Sequence, residues 1–285
     1  MRDRRSTGFA VESAPIHGVD QVSDIADRLH EAARLGVPIE PLCQILRPGG
    51  VAMAYQVQSF NVGREAKSGR RIVGRKIGLT SKAVQEQLGV GEPDYGTLLD
   101  SMDVSAMEIA PFESLIQPRI EAEIAVVLGR DLDSPTVSLA EAAQAVDCVL
   151  PALEIVDSRI KEWRISIFDT IADNASSALF VTGANPVNPK RIDLRLAGMV
   201  LEKNGNPASL GVGAACLGSP YRALTWLARR MAEVGDPLRA GALILTGALG
   251  PMTKLEPGDS VSAEIQGLGR VSVQFAGHKE RLSWI

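Results

Sequence analysis

Apolar residues near the start of the chain recur at helical spacing: Val22, Ile25, Ala26, Leu29 and Ala33 share one face. Gly36 follows where a left-handed residue would end such a helix, and Pro38 and Pro41 then force a turn. A second helix is predicted from about Val51 to Ser68, with Gly69 as its stop. Residues 1–18 mix charge, Gly, Ser and Pro without periodicity and read as a flexible tail, which leaves 19–70 as a small helical lead-in. From Arg71 the apolar runs shorten and are punctuated by Gly and Pro. Strands are predicted at Ile120–Leu128, Leu150–Val156, Ala178–Thr182, Leu196–Lys203, Ala242–Leu245, Val261–Ile265 and Val271–Phe275, with Asn204-Gly205 as a hairpin turn. Two helices interrupt them. Ser138 and Glu141 form a capping box for a helix to about Val146, and Ser219-Pro220 opens another that Gly235 closes. Strands and helices do not alternate strictly, so a doubly wound parallel sheet is not expected. The pattern predicts an α+β fold: a mixed or largely antiparallel sheet closed into a barrel or roll over residues 71–276, with 277–285 as a C-terminal tail.

Composition narrows the chemistry. The 285 residues contain three histidines, His17, His30 and His278, so none lies between positions 31 and 277. A two-histidine zinc site or an interior Ser-His-Asp triad has almost no material, and chemistry in the middle of the chain must use carboxylates, lysines, hydroxyls or backbone. A net charge of −4 and an aromatic content of 4% argue against a nucleic-acid binder, which needs a basic surface and stacking rings. Cys43, Cys148 and Cys216 are widely separated and never in a CxxC pair, as expected of a reducing compartment. Arg2, Arg4 and Arg5 are followed by no apolar stretch, and no run approaches the ~18 apolar residues of a membrane span, so a cytoplasmic protein is expected.

The sharpest candidate is Glu121-Ala122-Glu123. Residues two apart in a strand share a face, so these carboxylates would lie roughly 6–7 Å apart along it. Their face continues into Ala125 and Val127 and the opposite face carries Ile120, Ala122, Ile124 and Val126, so both faces read as buried. Two like charges there are unfavourable unless a cation joins them, and oxygen-only ligands suit Mg²⁺ or Mn²⁺. The alternative is a strand end with solvated glutamates. Glu154 is a third lone carboxylate in an apolar strand, either a metal ligand or a buried partner for Arg159 or another base. Lys76, between Gly74 and Gly78, is open to three readings: a lysine with lowered pKa, an anion binder, or a solvated strand residue. Asp94 in Glu92-Pro-Asp-Tyr-Gly96 is a turn residue or a general acid/base. Thr246 and Gly247 belong to a tight turn or to a loop that holds a carboxylate, and Asp173–Ser177 to a polar turn or a pocket wall.

Taken together, GRKIGLT (74–80), EPDYGTLL (92–99), QPRIEAEIAVVL (117–128), LPALEIVDSRI (150–160), DTIADNASS (169–177) and LTGALGPM (245–252) resemble the 2-hydroxypentadienoate hydratases of the fumarylacetoacetate hydrolase superfamily, over roughly residues 20–276. The resemblance implies a mixed β-roll or barrel, a homo-oligomer, and a late step of the meta-cleavage catabolism of aromatic or steroid rings. It implies metal ligation by Glu121, Glu123 and Glu154 with Mg²⁺ or Mn²⁺, an active-site lysine at Lys76, an acid/base at Asp94, and substrate binding by Ser176, Thr246 and Gly247. The implied reaction adds water to a 2-hydroxy-2,4-dienoate, through metal-stabilised ketonisation and conjugate addition at C4, giving a 4-hydroxy-2-oxoacid. The resemblance also admits the downstream aldolase/dehydrogenase of the pathway as a partner. Three alternatives stand beside it: a 4-oxalocrotonate decarboxylase using the same metal enolate, a hydratase of a diacid, and a non-catalytic partner subunit. The intact Lys76, Asp94 and three glutamates argue against the last.

Overall fold

The structure is a computed structural model that describes residues 19–82, 85, 86 and 90–277. The predicted tail 1–18 and residues 278–285 of the C-terminal tail lie outside the described residues.

Three helices lead in: α1 (Val19–Leu35), α2 (Cys43–Leu46) and α3 (Gly50–Lys67). Val22, Ile25, Ala26 and Leu29 of α1 pack with Leu42, Leu46, Met53, Ala54 and Val57 into one cluster. Ala32 is buried where the spacing pointed to Ala33, which is exposed; from Leu29 the face advances by three residues, not four. Gly36 takes the left-handed conformation (φ +67°) and ends α1 as predicted. The cluster also receives Ile160, Ile171 and Ala172 from the main body. Asp169 clasps this junction: its buried carboxylate accepts from Leu42 N (2.6 Å) and from Ser166 N (2.8 Å) and Oγ (2.6 Å).

The main body holds eleven strands: β1 (Ile72–Gly78), β2 (Asp94–Leu99), β3 (Arg119–Leu128), β4 (Val146–Val156), β5 (Ser177–Thr182), β6 (Gly198–Lys203), β7 (Asn206–Val212), β8 (Leu243–Ala248), β9 (Thr253–Lys254), β10 (Ser260–Ile265) and β11 (Gly269–Gln274). Helices α4 (Leu139–Ala145), α5 (Ile167–Ala172) and α6 (Pro220–Glu233) lie between them. The larger sheet has the order β2-β1-β8-β3-β4-β5, with β9 beside β3, and is antiparallel except for the parallel pair β1–β8. The smaller sheet, β11-β10-β6-β7, is wholly antiparallel. The expected α+β architecture with a mixed sheet is what the chain forms.

The larger sheet curls into a half-barrel. Leu98, Ala125, Ala152, Phe180 and Leu245, from five different strands, form one buried cluster on a single face, which a flat sheet of that width does not allow. A bridge from Asp103, just past β2, to Phe180 of β5 joins the two ends. The opposite face of β3, with Ile120, Ala122, Ile124, Val126 and Leu128, enters the main core beneath the smaller sheet and α6. Burial of both faces is why β3 shows no polar alternation except at its two glutamates.

Four strands escaped the pattern, the shortest being β9 with two residues. β1 carries Arg75 and Lys76 in its middle, β2 begins inside the Pro-Asp-Tyr-Gly segment that reads as a turn, and β7 contains Pro207 and Gly211. β4 starts at Val146, directly after α4 and earlier than the apolar run suggested. The Asn204-Gly205 turn has φ +52° and +76°, as the tight hairpin requires. Ser138 caps α4 reciprocally with Glu141, whereas the Ser219 side chain makes no cap bond at α6. Among the described residues, no helix is long and apolar enough to cross a membrane.

Candidate active site

The antiparallel pairing of β3 and β4 sets Glu121 directly opposite Glu154, and Glu123 follows two residues along the same face. Glu123 and Glu154 have no exposure and Glu121 has 9%. One carboxylate oxygen from each of the three lies within 4.8 Å of the others. Glu123 Oε2 accepts from Gly247 N at 2.7 Å, but Glu123 Oε1 and both oxygens of Glu154 lack a hydrogen bond among the described residues. Burial, and then the charge of Glu154, pushes the Glu121 carboxyl up to about 7 and Glu123 well above the carboxylate range. Orphaned, buried, all-oxygen donors converging on one point fit a hard divalent cation, which would satisfy the free oxygens and favour ionisation.

Lys76 of β1 reaches the same cluster. Its Nζ lies 3.2 Å from Glu154 Oε1, off the line that a hydrogen bond needs. Three strand steps separate β1 from β4, so the contact is a product of the curl. Burial alone would lower the Lys76 pKa, but Glu154, Glu121, Asp94 and Glu123 together outweigh it, and the pKa is raised. The lowered pKa among the expectations for this lysine is therefore corrected: it is a buried cation. Of the bases open to Glu154 as a buried partner, Arg159 belongs to Asp173, and the cation beside Glu154 is Lys76.

Asp94 stands at the start of β2, paired with Gly78 of β1. A side chain at Gly78 would place its Cβ 2.1 Å from Asp94 Oδ1, so the glycine makes room for this carboxylate. Thr170 Oγ1 donates to Asp94 Oδ2 across a long 3.4 Å, and Oδ1 has no partner among the described residues. Burial raises the Asp94 pKa to about 6 against the opposing charge of Lys76. Such a group can both hold and release a proton near neutral pH.

Asn174, Ala175 and Ser176 form a turn in which all three residues have positive φ, between +51° and +54°. Each non-glycine residue so placed costs roughly 1 kcal/mol. The surroundings hold it there. Arg159 bonds the Asp173 carboxylate through its backbone N–H and Nε, and its Nη2 donates to the Asp173 carbonyl (2.8 Å) and the Ser177 carbonyl (3.4 Å), one on each flank. The turn leaves the Ser176 hydroxyl buried without a partner. Arg159→Met is expected to lower the unfolding free energy by about 3 kcal/mol, because Asp173 is left buried and unpaired beside a strained turn. A urea titration measures this, and a loss below ~1 kcal/mol would show that the clamp does not hold the turn.

Thr246 and Gly247, expected in a turn or loop, lie inside the C-terminal half of β8 and contribute differently from expectation. Thr246 is fully buried and its hydroxyl donates to Ile124 O at 2.8 Å, so that proton is spent on backbone. Gly247 has φ +109°, and a Cβ there would stand 2.4 Å from Thr80 Oγ1. Only glycine meets both conditions, and its N–H is what steers Glu123. Thr170 and Tyr55 were not singled out from the sequence. Tyr55, on α3, stacks on Tyr95 with ring centroids 4.3 Å apart, next to Asp94, but an aromatic residue on a buried helix face reads as core. The Thr170 hydroxyl has no local signal at all.

Residues 97–276 match the model of the fumarylacetoacetate (FAA) hydrolase C-terminal family. The chain is 51% identical to a 2-keto-4-pentenoate hydratase of Paraburkholderia xenovorans, over 91% of this chain and 96% of that protein. It is 42% identical to a 2-hydroxyhexa-2,4-dienoate hydratase of Comamonas testosteroni, over 87% and 95%. Among solved structures it resembles the 4-oxalocrotonate decarboxylase of Pseudomonas putida G7, complexed with magnesium and adipate, at 37% identity and a TM-score of 0.88, over 92% of this chain and all of that one. A second structure of that decarboxylase holds calcium and acetate.

Proposed function

The chain belongs to the fumarylacetoacetate hydrolase family, and from that membership we propose that it is a divalent-metal-dependent hydro-lyase that adds water to a 2-hydroxy-2,4-dienoate. Its setting is the meta-cleavage catabolism of aromatic compounds in the cytoplasm, and it works as a homo-oligomer. The observation that carries the reading is the buried Glu121–Glu123–Glu154 cluster facing Lys76, in a chain 51% identical to a named hydratase.

Glu121, Glu123 and Glu154 would hold the ion, Mg²⁺ or Mn²⁺. When bound, it supplies Lewis-acid polarisation of the substrate's carboxylate and 2-oxygen. Lys76, a buried cation, holds the substrate carboxylate in place. Asp94, with its pKa near 6, delivers its proton to C5 while the 2-hydroxyl proton passes to solvent; it then regains a proton from the water that attacks C4, and C3 takes its proton from solvent, which balances the one released. Hydroxyl ends on C4 and hydrogen on C3, so one water is consumed and the product is a 4-hydroxy-2-oxoacid. The Ser176 hydroxyl, without a partner among the described residues, lines the substrate side, and Gly247 acts through Glu123, whose carboxylate its N–H holds.

The test supplies 2-hydroxypenta-2,4-dienoate, its hexadienoate homologue and 4-oxalocrotonate separately, with Mg²⁺, with Mn²⁺ or with EDTA. Loss of dienol absorbance without CO₂ release, abolished by EDTA, is expected for the first two. The greater identity to hydratases than to the decarboxylase, 51% against 37%, favours this outcome. Faster CO₂ release from 4-oxalocrotonate would replace hydration with decarboxylation, and full turnover in EDTA would remove the metal.

A further inference from the structure

We infer that Gln58 of helix α3 is a positioning residue for Asp94, which makes the N-terminal helices part of the machinery of turnover. The inference rests on the acid/base reading of Asp94.

β2 is an edge strand of the larger sheet, so the backbone groups on its outer side have no strand partner. Side-chain amides take their place. Asn174 Oδ1 accepts from Thr97 N at 2.7 Å, and its Nδ2 donates to Thr97 O at 2.9 Å. Two residues earlier on the same side, Tyr95 O accepts from Gln58 Nε2 at 3.0 Å. The same nitrogen donates to Ile171 O at 2.9 Å, so both of its hydrogens are used. Each acceptor lies next to a group at the acid/base. Tyr95 follows Asp94, and Ile171 follows Thr170, whose hydroxyl is the one side-chain donor to the Asp94 carboxylate among the described residues.

The reach of that hydroxyl explains why the clamp matters. At 3.4 Å it restrains the carboxylate weakly, and Asp94 Oδ1 has no hydrogen-bond partner among the described residues. The aim of the carboxylate is therefore set by the backbone at residues 94–95 and by its distance from residues 170–171. Gln58 fixes that distance from a third element. At 3% exposure, an amide there is unfavourable unless both hydrogens are bonded, and packing alone would be served by an apolar side chain. Tyr55, one turn earlier on α3, adds its stack on the Tyr95 ring.

The test uses the full-length, Mg²⁺-loaded protein. Gln58→Met keeps the side chain's length and removes both donors. It is expected to lower kcat about tenfold to a hundredfold, the size of effect that small misplacement of a reacting group produces. KM and the Mg²⁺ midpoint from thermal-shift titration should stay within about twofold, since the glutamates stand on other strands. In an Asp94→Asn background the same substitution should lower kcat no further. Equal losses in both backgrounds, or an unchanged kcat in Gln58→Met, would overturn the inference. Full activity of Asp94→Asn would instead remove the acid/base reading beneath it. Should Gln58→Met not fold, Gln58→Glu, which keeps one donor when protonated, enters the same cycle with the same deciding outcomes.

Discussion

Glu123→Gln is expected to reduce turnover on the order of a thousandfold while leaving the metal-free protein at least as stable as before. The two halves of this result have one cause. Burial and the neighbouring Glu154 and Glu121 charges hold Glu123 well above the carboxylate range, so without a cation its favoured form is the neutral acid. Glutamine copies that form in shape and charge, and its side-chain oxygen can still accept from Gly247 N. What it cannot supply is the negative charge that a divalent ion requires of its ligand. Thermal melts with and without Mg²⁺, beside kcat at saturating Mg²⁺, measure both halves. The wild type should gain melting temperature with Mg²⁺ and the variant should not. A variant that turns over normally, or melts far below the metal-free wild type, contradicts the reading of Glu123 as a metal ligand.

The metal-free protein should lose stability as pH rises from about 4.5 to about 7, and a divalent ion should restore most of it. In that window the unfolded chain has already released the Glu121 proton, while the folded chain still holds it. The stabilisation is complete below the ordinary glutamate pKa and is lost as pH passes the folded value. At ~1.4 kcal/mol for each tenfold change in proton affinity, Glu121 alone carries roughly 3 kcal/mol, and Glu123 extends the effect to higher pH. Metal binding needs the ionised ligands, so it releases protons and strengthens with pH. The gain in melting temperature with Mg²⁺ should therefore be larger at pH 8 than at pH 5.5. Calorimetric titration in buffers of different ionisation enthalpy should show protons leaving at pH 6. A gain independent of pH, with no proton release, would mean that the glutamates are already ionised or do not bind the ion.

Much of the site was legible from the pattern alone. Glu121, Glu123 and Glu154 stood out because a charge inside an apolar strand is a local contradiction, and the period of two placed the first pair on one face before any fold was known. The lack of interior histidine left carboxylate oxygen as the available metal donor and pointed away from zinc. Lys76 and Asp94 were visible as candidates, but not their states. The raised pKa of Lys76 comes from four carboxylates on three other strands, and no window of sequence contains them. The role of Thr246 shows the same limit. Its hydroxyl is spent on Ile124 O, a partner more than a hundred residues away.

The amino-acid order by itself determined the class of fold, most of the strands, the helix ends at Gly36 and Gly69, and the chemistry of the donor set. These depend on side-chain period, on backbone conformations open chiefly to glycine, and on which atoms a residue carries, all local properties. Tertiary structure alone decided which of these residues meet. The curl of the larger sheet brings Lys76 to Glu154 across three strand steps, the clamp by Arg159 holds three residues in a left-handed turn, and Gln58 ties the Asp94 strand to the helices. Each contact joins groups that are distant along the chain, so it exists only once the chain has closed around them.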